Sequence, residues 1–202
     1  MQVAQSISEV VTSGLCIGCG LCEAVTDGRV RMELTEVGGL RPVPVDGFSE
    51  PEENDILAAC PGAVARPRVQ TEAQIDDIWG AYSDMRYAWA ANPDVRHRGA
   101  TGGVLTALGM HLLDSGQAAF ILHVRAKPDQ PMRTEWVMSE TADDVLAHAG
   151  SRYGPAAPLA GLKVALDRGE PFAIIAKPCD VAAVHAMRKW IRVSMRCVSR
   201  GW

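Results

Sequence analysis

Apolar side chains are sparse up to about Trp79 and become dense from Ala81 onward. The first stretch is rich in Gly, Pro and acidic residues and reads as a loop-rich module. Within it, Val30-Arg-Met-Glu-Leu-Thr35 alternates apolar and polar positions, which sends successive side chains to opposite faces of a strand. Gly38-Gly39 offers a turn into Leu40-Arg-Pro-Val43, so a small hairpin is predicted.

Beyond residue 80 the period changes repeatedly between that of a helix and that of a buried strand, the texture of an α/β or α+β domain. Val104, Leu105, Leu108, His111 and Leu112 share a helical face, with the start near Gly102 and a stop at Asp114-Ser-Gly116. Ala118 to Val124 reads as a buried strand and Thr134 to Met138 as its partner. Thr141 and Asp144 form a variant capping box before Val145-Leu-Ala-His-Ala149, with Gly150 as terminator. A helix over 159–168, a strand over 172–176 and a helix started by Pro178 complete the series. No internal repeat or low-complexity segment interrupts it.

Composition narrows the function classes. Apolar residues at 48% and charged residues at 22% leave ample material for a core. A formal charge of −4 gives no basic surface for phosphate neutralisation, so nucleic acid is not an expected partner. No apolar run approaches the ~20 residues that cross a bilayer, and a cytoplasmic location is expected. In that compartment cysteines stay reduced, and a tight group of them is better read as metal ligands than as disulfides.

Cys16, Cys19 and Cys22 are spaced by two residues each, and Cys60, beyond 37 intervening residues, is followed by Pro61. This C-x2-C-x2-C plus C-P pattern is that of a [4Fe–4S] site, in which a curled loop offers three thiolates and a distant residue the fourth. Zinc also accepts four thiolates, but its sites are usually built from two separated C-x2-C pairs. A single cluster, and a role in carrying electrons, is the expectation.

Three polar segments interrupt the second half. Arg96-His-Arg-Gly-Ala-Thr-Gly-Gly103 places glycines and basic residues at a helix N-terminus, a place for phosphate or simply a turn. Ser151-Arg-Tyr-Gly-Pro155 and Lys177-Pro-Cys-Asp180 lie between regular elements, where binding groups gather. Cys179 could touch a cofactor, ligate a second metal or be a small buried thiol. His97, His111, His123, His148 and His185 are scattered, and none stands out as a general acid.

Gly99-Ala-Thr-Gly-Gly-Val-Leu-Thr-Ala-Leu108, Gly150-Ser-Arg-Tyr-Gly-Pro155 and Lys177-Pro-Cys-Asp180, in this order behind the cysteine motif, resemble the coenzyme F420 hydrogenase/dehydrogenase beta-subunit family. The likeness leans to its 7-hydroxymethyl chlorophyll a reductase and 8-vinyl reductase branch. It implies an iron–sulfur module over 1–80 and a mixed α/β FAD-binding domain over 81–190. It further implies an oxidoreductase that passes electrons between the [4Fe–4S] cluster and FAD to reduce a deazaflavin or tetrapyrrole, with ferredoxin or another redox subunit as partner. By the same resemblance Thr101, Gly102, Gly103 and Thr106 face the FAD phosphates, Ser151 and Tyr153 lie along the flavin, and Lys177 and Cys179 stand near its ring. Residues 191–202 form a basic tail unlike the family, so a chain truncated at its C-terminus is expected, with Cys197 incidental. A cluster-binding electron carrier without catalysis, and less so a zinc-stabilised interaction module, are the alternatives.

Overall fold

The computed structural model describes residues 4–64, 74–78 and 80–187; the basic tail with Cys197 lies outside them. Its helices are α1 (Ile7–Thr12), α2 (Leu21–Val25), α3 (Glu50–Ala59), α4 (Pro93–Arg98), α5 (Val104–Asp114), α6 (Ala142–Ala147), α7 (Leu162–Asp167) and α8 (Pro178–Met187). Its strands are β1 (Arg31–Leu34), β2 (Leu40–Val43), β3 (Gln74–Asp76), β4 (Gly80–Tyr82), β5 (Phe120–Ala126), β6 (Thr134–Ser139) and β7 (Phe172–Ile174). The class is α+β, as the texture predicts. No helix among the described residues is long and apolar enough to cross a membrane.

Two compact units are built from interleaved segments. The cysteine unit takes described residues 4–64, 155–164 and 176–187, and the sheet unit takes 74–78, 80–154 and 165–175.

In the cysteine unit, Ser6 caps α1 by accepting the Glu9 amide at 3.1 Å. Ile7 and Val10 of α1 pack on Ile56, Leu57 and Ala63, and the Glu53 carboxylate accepts the Ile7 amide at 2.8 Å. A capping box of Ser49 and Glu52, with Pro51 in the first turn, starts α3. α8 packs against α3 and buries Ala183, Val184 and Met187. The predicted hairpin forms, with Arg31 opposite Val43 and Leu34 opposite Leu40.

The sheet unit centres on β5, which pairs antiparallel with β6 and parallel with β7. Phe120, Ile121 and Leu122 are fully buried, each contributing about 1.5–3 kcal/mol. Strand alternation divides them: Ile121 meets Leu112, Ala118 and Val145 on one face, while Phe120 and Leu122 meet Ala165, Phe172 and Ile174 on the other. The Phe120 and Phe172 rings stack at 5.1 Å, and the Arg168 guanidinium lies 4.2 Å from the Phe120 centroid.

Two expectations change in detail. The buried stripe of α5 is Thr106, Gly109 and Leu112; of the expected face Leu112 is buried, Val104 and Leu108 are half-buried, and Leu105 and His111 are exposed. Gly109 is the reason: a Cβ there would stand 3.2 Å from Ile175 and 3.3 Å from Val145, so its absence lets the helix lie close on this side. The helix expected over 159–168 begins as a 3-10 turn, Pro158–Gly161, and becomes α-helical at Leu162, the weak helix former Gly161 marking the change.

Candidate functional site

The four motif cysteines share the cysteine unit, and backbone contacts bring their two loops together. Cys60 ends α3, its amide donating to the Ile56 carbonyl at 2.7 Å. Two residues later Gly62 packs so tightly that a Cβ would come 2.5 Å from the Leu15 carbonyl oxygen. Cys60 is thereby held beside the Leu15–Cys16 bond. Cys16 in turn donates its amide to the Val10 carbonyl at 3.1 Å, anchoring the loop to α1. Gly20, with φ of +90°, begins α2 and lies against the 3-10 turn, where a Cβ would be 2.5 Å from the Ala160 nitrogen. The Leu159 amide completes this face by donating to the Cys19 carbonyl at 2.9 Å.

Electrostatics reports the convergence of the thiols. Burial, above all, pushes the Cys19 thiol up to about 12, and Cys60, Asp180 and Cys16 add to the rise. Cys22 is also pushed up by burial and by Cys19, Cys60 and Cys16, and Cys60 by burial and by Cys16. The Cys19, Cys22 and Cys60 thiolates would thus be repelled by neighbouring sulfurs, a set that calls for cationic compensation. Among the described residues no group of three His, Cys, Asp or Glu side chains could hold a metal ion as arranged. A cubane holds its thiolates farther apart than the ~3.8 Å implied by tetrahedral zinc with Zn–S bonds of about 2.3 Å.

The Lys177-Pro-Cys-Asp180 segment starts α8 in the same unit. Asp180 is fully buried: its Oδ2 accepts the Lys177 amide at 3.2 Å and pairs with Lys177 Nζ at 3.0 Å. Its Oδ1 has no hydrogen-bond partner. Cys179 is half-buried.

In the sheet unit, Thr101, Gly102 and Gly103 all adopt left-handed backbone, with φ of +52°, +69° and +75°. The change of hand from Gly103 to right-handed Val104, with φ of −59°, turns successive amides to one side at the N-terminus of the eleven-residue α5, an arrangement suited to anionic oxygen. The chain has little choice at Gly103, where a Cβ would stand 2.5 Å from the Val95 carbonyl oxygen. The Gly102 carbonyl accepts the Ala90 amide at 2.8 Å, fixing the loop from outside. Thr101 is exposed, whereas Thr106 is buried on the sheet side of α5. Ser151 and Tyr153 are exposed, Tyr153 fully. The structure brings the two loops together: a Cβ on Gly150 would be 3.6 Å from the Arg98 carbonyl oxygen.

A polar chain that the sequence did not single out lies behind this loop. His123 Nε2 is 2.8 Å from Ser139 Oγ, which is 3.2 Å from His148 Nδ1. His123 and Ser139 are buried and His148 is half-buried. Burial, with His148 nearby, lowers the His123 pKa to about 4. Burial also lowers that of His148, as do Arg125 and Arg152, against Asp144 and Glu135.

Residues 85–163 match the model of the coenzyme F420 hydrogenase/dehydrogenase beta-subunit N-terminal family, so the resemblance holds over the stretch that carries the α5 loop and the Gly150–Tyr153 loop. The beta subunit of F420-dependent formate dehydrogenase 1 from Methanococcus maripaludis is 26% identical over 113 residues, covering 56% of this chain. The matched stretch is 29% of that relative's length. A chain of the xenon-derivatised F420-reducing nickel–iron hydrogenase complex from Methanosarcina barkeri matches with a TM-score of 0.47 and 23% identity, over 55% of this chain and 38% of that one.

Proposed function

We propose, from the likeness of residues 85–163 to the beta subunits of F420-linked hydrogenases and dehydrogenases, that this chain is an iron–sulfur flavoprotein module of an oxidoreductase. The observation that carries the reading is the convergence of Cys16, Cys19, Cys22 and Cys60 in one unit, each of the last three raised in pKa by at least one of the others. Those four thiolates would hold a [4Fe–4S] cluster, which supplies one-electron transfer. The Thr101–Gly103 amides and the Ser151–Tyr153 loop would hold FAD, which supplies the exchange between one-electron and two-electron chemistry.

The chain's own contribution is placement and electrostatics. Gly62 and Gly20 hold the cysteine loops at close backbone distance, so only side-chain adjustment would be needed for the four thiolates to close on a cluster as it binds. Gly103 and the Ala90–Gly102 bond hold the amides of the α5 loop in a fixed array for phosphate. Lys177 and Cys179 stand at the start of α8, and family likeness alone assigns them to the ring end of the flavin. A partner redox protein would deliver or remove single electrons, and the organic substrate would be a deazaflavin or a tetrapyrrole. The name of the formate dehydrogenase relative favours the deazaflavin.

The test is to load the chain anaerobically with iron, sulfide and FAD, reduce it with dithionite, remove the excess and add deazaflavin coenzyme. Bleaching of the deazaflavin absorption, in step with reoxidation of the protein, supports the reading. Reoxidation by an artificial one-electron acceptor without deazaflavin reduction would instead favour an electron carrier.

A further inference from the structure

The sheet unit contains a hydrogen-bonded chain that the flavin reading leaves without a task. His123 on β5 and Ser139 on β6 are diagonal neighbours, because His123 pairs with Val137 and Ile121 with Ser139. Strand alternation puts Ile121, His123 and Arg125 on one face, together with Val137, Ser139 and Glu135 across the ladder. His148 closes this face from the C-terminus of α6, where its amide donates to Asp144 and ends the helix. Two residues later the chain reaches Gly150, with φ of +102°, and the loop Ser151–Tyr153.

The chain runs from burial toward the surface. His123 Nε2 and Ser139 Oγ are 2.8 Å apart, and Ser139 Oγ and His148 Nδ1 are 3.2 Å apart. A serine hydroxyl carries one proton and two lone pairs, so Ser139 can donate to one histidine while accepting from the other. His123, whose pKa burial lowers to about 4, stays neutral near pH 7 and can act as the terminal acceptor at Nε2. Ser139 then donates to His123 and accepts Nδ1–H from His148. This order leaves His148 Nε2 free to gain or lose a proton, the logic by which a group bound at one imidazole nitrogen fixes the tautomer and frees the other.

We propose that His148 is the proton donor and acceptor of the candidate flavin site, with Ser139 and His123 as positioning residues that hold its Nδ1 and present its Nε2 to the Gly150–Tyr153 loop. The inference rests on the reading of that loop and the α5 amides as a flavin site. Two-electron reduction of an isoalloxazine takes up at least one proton. With FAD bound and electrons supplied by the cluster or the partner, protonated His148 would give its Nε2 proton to the ring and regain one from solvent, its Nδ1–H remaining on Ser139 Oγ. The charged groups facing His148 are Arg125, Glu135, Asp144 and Arg152, besides neutral His123. The two arginines disfavour the imidazolium and so make it a readier donor.

The test uses the full chain and two readouts. Long-range proton–nitrogen NMR on the uniformly labelled chain reads the tautomer: His148 is expected as the Nδ1–H form. Ser139→Ala should move it to the ordinary Nε2–H form, and Ser139→Thr should restore it. An Nε2–H tautomer in the parent chain overturns the proposal. Stopped-flow reduction of bound FAD by dithionite as a function of pH reads the proton transfer. His148→Gln should retain FAD at parent stoichiometry, lose the pH-dependent limb and slow reduction by about a hundredfold. Ser139→Ala should shift the limb and Ser139→Thr restore it. An unchanged profile in FAD-loaded His148→Gln overturns this proposal alone. Failure of the parent chain to take up FAD overturns the flavin reading and this proposal with it.

Discussion

Gly62 approaches Leu15 so closely that a Cβ on Gly62 would stand 2.5 Å from the Leu15 carbonyl oxygen and 2.8 Å from Val10 Cγ1. Through this contact the loop after Cys60 is seated beside Cys16, across a sequence distance that local propensity cannot bridge. Backbone packing thus sets the Cys60 loop against the Cys16 loop, with α1 and α3 as the supports.

Gly62→Ala is therefore expected to push apart the Cys60 and Cys16 loops. Overpacking against backbone atoms costs about 1–3 kcal/mol. Iron content after anaerobic loading should fall well below that of the parent chain. Gly38→Ala serves as the control: its φ of +81° imposes a strain of about 1 kcal/mol, but nothing lies within 4 Å, so iron content should not change.

Gly103→Ala tests the α5 loop in the same way. The new Cβ would meet Val95 O at 2.5 Å in a left-handed conformation, for a loss of about 1–3 kcal/mol measurable by urea unfolding. Weaker FAD retention on gel filtration should accompany it, with iron content unchanged.

Asp180→Ala removes the acceptor of the Lys177 amide and the partner of its ammonium. Leaving that amide unpaired costs about 1–3 kcal/mol. The same substitution removes a buried negative charge that raises the Cys19 pKa, so the potential of a loaded cluster should move upward. Electron paramagnetic resonance during a redox titration reads this shift.

His123 gives the sheet unit a pH-dependent stability. Its pKa in the folded chain is about 4, below the ordinary 6.5, so the unfolded chain binds a proton that the folded chain does not. Stability is complete above about pH 6.5 and falls as pH drops toward 4, by roughly 3 kcal/mol at most. Unfolding free energies of the parent chain should show this slope, and His123→Gln should reduce it.

Much of the sheet unit is legible in the sequence. Gly102-Gly103 and Ser115-Gly116 bracket α5, the capping box starts α6, and Phe120 to Val124 is too apolar for a surface strand. α3 is hidden because its buried residues, Ile56, Leu57 and Ala59, occupy only its last turns, while Glu50, Glu52 and Glu53 fill the first. The α5 stripe is misread because Gly109 carries no hydrophobic signal, yet its missing side chain sets which face packs. Residues 155–164 and 176–187 join the cysteine unit through contacts that no local pattern records. The His123–Ser139–His148 chain depends on the β5–β6 register, so three residues separated by 16 and 9 positions become neighbours only after the hairpin is built.

The cysteine motif is the plainest feature of the sequence, and the structure adds the backbone packing that brings the Cys60 loop to the Cys16 loop. The most direct measurement is iron, sulfide, zinc and flavin quantified on one anaerobically purified sample of the full chain. About four irons and four sulfides per chain, lost together on Cys60→Ser, are the predicted result. Stoichiometric zinc with neither iron nor sulfide would contradict it.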